Sequence, residues 1–198
     1  SSDVCSSDLV TGLVSLDASG DSKQVSFTGE ASTFNALDAK ADDGIIVDVD
    51  LSTDTGTLSL DADADNNADT FDRVQFADGV TLNAKGDLSL DSTTQTMQAL
   101  GSLTLETAAN LNLNDSLNAA GELNFSADTD GSGSGDFNLA SGMSLTADGQ
   151  NLTLSSNDIK LEGSIDLGDG TLNLLVSDTG AIGLGLADQD YDLSGDEL

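Results

Sequence analysis

The feature that most constrains this chain is a three-residue unit, apolar–polar–apolar, that returns along most of its length. It reads VSF at 25–27, LSL at 58–60, VQF at 74–76, VTL at 80–82 and LSL at 88–90. It continues as LTL at 103–105, LNL at 111–113, LNF at 123–125, FNL at 137–139 and LTL at 152–154, then IKL at 159–161, IDL at 165–167 and LNL at 172–174. Alternation with period two places the apolar partners on one face of a β-strand. Between the units stand Gly, Asn, Asp and Ser, which accept tight turns and left-handed backbone. The strands are shorter than the five or six residues usual in a hairpin sandwich. Only ASTFNALDAKADD at 31–43 leaves room for a helical turn.

A longer period overlies the short one. Units that start at 58, 80, 103, 123, 152 and 172 are separated by 22, 23, 20, 29 and 20 residues. The long step contains DTDGSGSGD at 128–136, so residues 127–137 are read as a loop inserted into one turn. A fixed period near twenty with two or three strands in each period marks a β-solenoid. Each coil sets its inward Leu over the Leu of the coil before, burying one apolar column while ladders between coils satisfy the backbone. The expected fold is all-β, a parallel β-helix with coils of 20–23 residues, running from residue 10 to residue 198. Asn112, Asn114, Asn138 and Asn173 are placed for side-chain ladders between coils or for turns.

Composition fits a thin column better than a thick core. Apolar residues make up 37% of the chain and aromatics 4%, with no Trp. Charge excludes several functions. The 36 acidic and 5 basic side chains give a net charge of −31, so most carboxylates must face water or bind cations. Such a surface repels itself, and salt screens that repulsion. Nucleic acid and anionic membrane are excluded as partners, because phosphate binding needs basic clusters. The absence of His rules out a Ser-His-Asp triad and His-ligated zinc. No run of apolar residues reaches the length of a membrane-spanning helix. With this many acids a chance pair suited to glycoside hydrolysis carries no information, and the expectation is a protein that is not an enzyme.

The first nine residues, SSDVCSSDL, differ in style from the rest and hold Cys5, the one cysteine. They resemble translated sequencing-adapter DNA, so residues 1–9 are expected to be non-native, the source an environmental assembly, and both ends of the fragment truncated.

Two longer stretches, GSLTLETAANLNLNDSLNAAGELNFSA at 101–127 and NDIKLEGSIDLGDGTLNLLVSDTGAIGLG at 157–185, resemble repeats of filamentous-haemagglutinin-type adhesins, the large autotransporter-like exoproteins of Gram-negative bacteria. The likeness extends over GAIGLG at 180–185 and YDLSGDEL at 191–198, and covers roughly residues 80–198. It implies a right-handed parallel β-helix, secretion to the outer-membrane surface, and a stalk or adhesive role. The implied partners are a host or surface glycan or protein, together with neighbouring coils of the same chain.

The sharpest chemical motif is DADADNNADTFD at 61–72. Asp61, Asp63, Asp65, Asp69 and Asp72 occupy positions 1, 3, 5, 9 and 12 of an EF-hand-type loop, and calcium takes six to eight oxygen ligands of this kind. Against it, Asn66 stands where that loop needs Gly, and Asp72 where it needs a bidentate Glu. Calcium is the only cofactor the sequence suggests, and a strand with solvent-facing Asp explains the same residues. Asp128, Asp130 and Asp136 form a second acidic group, in a Gly/Ser loop that reads as flexible. LADQDYDLSGDE at 186–197 is read as a solvated turn. Three functions follow: a structural or adhesive rod, a calcium-stabilised acidic repeat protein, and a carbohydrate-active β-helix.

Overall fold

A computed structural model describes residues 10–178, 182–184 and 191–193, and every regular element among them is a strand. Three seven-stranded sheets dominate, and all their pairings are parallel. Sheet A stacks Leu13–Ala18, Ala36–Ala41, Leu58–Asp61, Leu88–Asp91, Leu111–Leu113, Asp136–Leu139 and Asp158–Leu161. Sheet B stacks Val25–Phe27, Ile45–Val47, Val74–Phe76, Met97–Ala99, Leu117–Ala119, Ser144–Thr146 and Ser164–Asp166. Sheet C stacks Ser32–Phe34, Leu51–Thr53, Val80–Ala84, Leu103–Thr107, Leu123–Ser126, Leu152–Ser156 and Leu172–Val176. The chain visits A, B and C in turn and then starts the next coil. The result is a β-solenoid of about seven turns, as the repeat predicts.

Register explains the core. Leu58 pairs with Leu88, Leu88 with Leu111, and Leu111 with Phe137, so one inward column climbs sheet A. Val80, Leu103, Leu123, Leu152 and Leu172 form the matching column in sheet C. In the middle coils these side chains are fully buried, and burying each Leu contributes about 2 kcal/mol. At the ends the column is open: Leu172 is 39% exposed, and Val14, stacked beneath Leu37, is only partly buried.

Three points differ from the sequence expectations. Residues 31–43 hold no helical turn. They form strands in sheets C and A, with Leu37, Ala39 and Ala41 buried, because the run Ala-Leu-Asp-Ala-Lys-Ala alternates inward and outward. Leu58 does not head the column of Leu103 and Leu123. It lies in sheet A, stacked between Leu37 and Leu88. The coil that contains it carries an insertion of its own, the stretch from Asp61 to Val74. A second long connection, between Ser126 and Asp136, lies where the sequence places an inserted loop.

Polar side chains on the outer faces also pair between coils. Asn138 donates from Nδ2 to Asn112 Oδ1 at 2.8 Å, and Asn112 donates to Ser89 Oγ at 3.1 Å. The Thr33 and Ser52 hydroxyls lie 2.7 Å apart on sheet C. The strands at 182–184 and 191–193 pair in parallel, while the remainder of 180–185 and 186–198 lies outside the described residues, as do residues 1–9 with Cys5.

Candidate metal centre

The stretch from Asp61 to Val74 turns the corner from sheet A to sheet B. It is pinned at several points. The Phe71 amide donates to Asp43 Oδ1 at 2.7 Å. The Phe71 ring fills the space over Gly44, whose backbone is left-handed with φ of 99°; a Cβ there would meet the ring at 2.2 Å. Arg73 lays its guanidinium 4.4 Å from the centre of the Phe71 ring and donates to Gln95 Oε1 at 2.9 Å. Asn66 sits in the left-handed region with φ of 58°, which Asn tolerates better than most residues.

The five acids proposed as one calcium loop divide into three groups. Asp61 stays on sheet A, in register with Lys40 below and Asp91 above. Burial pushes its carboxyl up, a hydrogen bond from the Asp63 amide pulls it back in part, and the Asp91 charge pushes it up again. Asp63 and Asp72 turn into the corner and are buried. Asp63 Oδ2 accepts from the Thr94 amide at 2.9 Å, and Asp72 Oδ2 accepts from Thr94 Oγ1 at 2.9 Å and from the Asp69 amide. The other oxygen of each, Asp63 Oδ1 and Asp72 Oδ1, is buried with no hydrogen-bond partner.

Asp65 and Asp69 remain exposed and converge with a residue outside the motif. Asp42, from the coil below, joins them: one carboxylate oxygen from each of the three lies within 4.8 Å of the others. Asp42 is 1% exposed, and its Oδ2 accepts from the Ser22 amide at 2.6 Å. Partial desolvation and the charges of Asp42 and Asp72 push the Asp69 carboxyl up, while hydrogen bonds from Asn67 hold the Asp65 carboxyl down. No linear motif shows Asp42. The signal for it is coil register: Lys40 pairs with Asp61, so Asp42 stands at the same corner one coil earlier.

The second acidic loop is built differently. Asp128 is buried, with φ of 58°, and its carboxylate accepts from Ser132 Oγ at 3.0 Å, the Gly133 amide at 3.1 Å and Ser177 Oγ at 2.6 Å. Burial alone pushes this carboxyl up, but the hydrogen bonds from Ser177, Ser132 and Gly133 outweigh it and hold it below the usual range. Asp130 takes the Ser132 amide at 3.1 Å, and Asp136 lies on sheet A against Lys160 Nζ. Asp128 and Asp130 thus share Ser132, through its hydroxyl and its amide, while Asp136 pairs with Lys160.

A third acidic group runs up the A-to-B corner. Asp115 is 8% exposed; its Oδ1 takes the Ser116 amide, and its Oδ2 is buried without a partner. Burial, followed by the charges of Asp91 and Asp63, pushes the Asp115 carboxyl up. On sheet A a shallow hollow of about 180 Å³ is lined by Asn114, Asn138, Lys160 and Glu162. Ligand sites usually measure about 300–1,000 Å³.

No protein-family model, curated protein or solved structure matches this chain. Among the described residues no helix is long and apolar enough to cross a membrane.

Proposed function

We propose that this chain is a stiff, non-catalytic rod from a secreted or cell-surface bacterial exoprotein of the filamentous-haemagglutinin or autotransporter-like type, and that its outer faces make repeated weak contacts with a surface glycan or protein. The observation that carries this reading is the unbroken stacking: three parallel ladders climb seven coils around one apolar column. Each coil repeats the geometry of its neighbour, so a contact made by one coil recurs about every 4.8 Å along the axis. Repeated weak contacts of that kind gain avidity without any deep pocket.

The test couples the purified chain to fluorescent beads and measures their retention on epithelial cells and on glycan-coated surfaces. Beads carrying an unstructured acidic polypeptide of equal charge serve as the control. Retention well above that control is the expected result. Retention equal to the control on every surface defeats the adhesive reading, and release of reducing sugar from soluble polysaccharides moves the protein to the carbohydrate-active class.

A further inference from the structure

We infer that the outer face of sheet C is the docking face of the rod, and that its partner is a neutral, extended polysaccharide. The inference rests on the adhesive reading above and narrows it to one face and one class of glycan. In a chain of net charge −31, the seven strands of sheet C hold a single ionisable side chain, Glu106. Those of sheet A include Asp38, Asp61, Asp91, Asp136 and Asp158. Thr81, Thr104, Asn124, Thr153 and Asn173 stand in register on the outer face of sheet C, one to a coil. The insertion between Ser126 and Asp136 does not disturb the row, for Asn124 still pairs with Thr153. Asn124 and Asn173 are exposed, and the three Thr are half-buried. A second row, two residues on, includes Ser126 and Ser155, and there the Glu106 carboxylate accepts from Asn83 Nδ2.

The polar groups of the first row are unused. Among the described residues, its five side chains make no hydrogen bond within the protein. On sheet A the outer row is occupied with itself, Asn138 donating to Asn112 and Asn112 to Ser89. Sheet B is as poor in charge, with Asp166 alone on its strands, but its outer row includes Ile46, Gln75 and Gln98. Ordering a Gln side chain costs up to about 2 kcal/mol, whereas Thr is stiff at χ1. Sheet C is therefore the face whose free hydroxyls and amides are already in place.

Charge and area select the partner. Beside this face, on the corner from sheet B, lie Asp50, Asp78 and Glu122. They accept from the Thr81 amide, the Ser102 amide and Asn151 Nδ2 of neighbouring coils. These acids repel an acidic glycan and leave a neutral one unopposed. Hydroxyls and amides both donate and accept, as sugar hydroxyls do. Repeated at each coil, about 4.8 Å apart, they suit a polymer better than a single sugar, and their weak contacts gain avidity. A second copy of the chain fits less well. Five coils, each five residues wide, offer a plan area of about 400 Å², half of the 800 Å² that each partner of a stable complex usually buries.

The experiment is co-sedimentation of the full chain with cellulose, chitin and mannan, in salt of about physiological strength. Carboxymethyl-cellulose resin, with the same backbone made acidic, is run in parallel. Saturable retention on a neutral polymer, and weaker retention on the carboxymethylated one, is the expected result. Thr104→Asp/Thr153→Asp, checked for folding by circular dichroism, should lower affinity at least about tenfold by lost hydrogen bonds and a desolvated charge. Thr104→Ala/Thr153→Ala, which adds no charge, should also weaken binding. Ser89→Asp/Gln98→Asp, on the other two faces, should bind as wild type does. The inference is overturned if no neutral polymer retains the chain, or if both sheet C variants bind unchanged. A dimer in sedimentation that Thr104→Asp/Thr153→Asp abolishes, without retention on any polymer, also overturns it and makes the face a contact between rods. Retention of beads on cells without retention on neutral polysaccharide sinks this inference alone, and loss of both sinks the adhesive reading with it.

Discussion

The two long corners of this solenoid use the same residues to opposite ends. Both are rich in Asp, both contain a non-glycine residue in the left-handed region, and both leave the coil and return to it. In the corner after Ser126, Asp128 is buried but saturated, with donors from Ser132, Gly133 and Ser177 converging on one carboxylate. In the corner after Asp61, Asp63 and Asp72 are buried yet each keeps an oxygen without a donor, and Asp65 and Asp69 crowd a third carboxylate. Acidity alone therefore says little about what a loop needs. The supply of donors decides whether its buried carboxylates are satisfied. Small residues supply the donors in the second loop: Ser132 and Gly133 lie close enough to curl around Asp128, and Gly135 packs against its backbone, where a Cβ would come within 2.3 Å of the Asp128 nitrogen.

The largest effect expected from breaking this contrast is on the saturated loop. Asp128→Ala strips the loop of its anchor and leaves left-handed backbone on a residue that resists it. A loss of about 3 kcal/mol is expected, from hydrogen bonds to a charged group and the backbone term, read as a shift of the urea midpoint.

A smaller effect separates raised from lowered carboxyls by pH. Asp61, Asp69 and Asp115 have folded carboxyls raised above the unfolded value of about 3.9. Their contribution to stability is fully present below that value and is lost as pH rises through the raised folded values. Asp128 is lowered, so its contribution is present above about 3.9 and is lost as pH falls through its folded value. The melting temperature in chelator should therefore peak in mild acid rather than at neutrality. Asp115→Asn should gain about 1 kcal/mol at neutral pH, because a charge buried beside Asp91 and Asp63 is removed, and should flatten the neutral side of that peak. A profile that falls steadily from neutral pH into acid would contradict this assignment. The smallest change belongs to the exposed pair of Lys160 and Asp136: Lys160→Ala should move the urea midpoint by no more than about 0.5 kcal/mol, and less as salt is added.

The columns were legible because an inward Leu at every second position is both a strand signal and a packing instruction. The Val80–Leu103–Leu123–Leu152–Leu172 column follows directly from that spacing. The repeat period groups Leu58 with that column although it stacks between Leu37 and Leu88, and the reason is physical. Asp-Ala-Asp-Ala after it keeps strand-like alternation, and Ala62 is indeed buried, so the point where the chain leaves the sheet has no mark in the sequence. Residues 31–43 were ambiguous because Ala suits a helix as well as a narrow interior. The acidic motif was visible as a string of Asp, but its division was not. Whether Asp63 faces Thr94 or a cation depends on the coil above, and Asp42 enters from the coil below. Neighbours in a solenoid stand one coil apart: 23 residues separate Ser89 from Asn112 and 26 separate Asn112 from Asn138. A window the length of an EF-hand loop is too short to see them.

The close stacking of the coils also sets how the rod meets the ions around it. Seven coils rise only about 34 Å, while the chain carries a net charge of −31. Even half of that charge on the coils gives roughly one charge per 2 Å of axis, close to the one per about 1.7 Å of double-stranded DNA. At that density a rod behaves as a polyelectrolyte and holds a sheath of condensed counterions. Any cationic partner that docks on it would displace those ions, and the entropy of their release would drive binding that weakens steeply as salt rises.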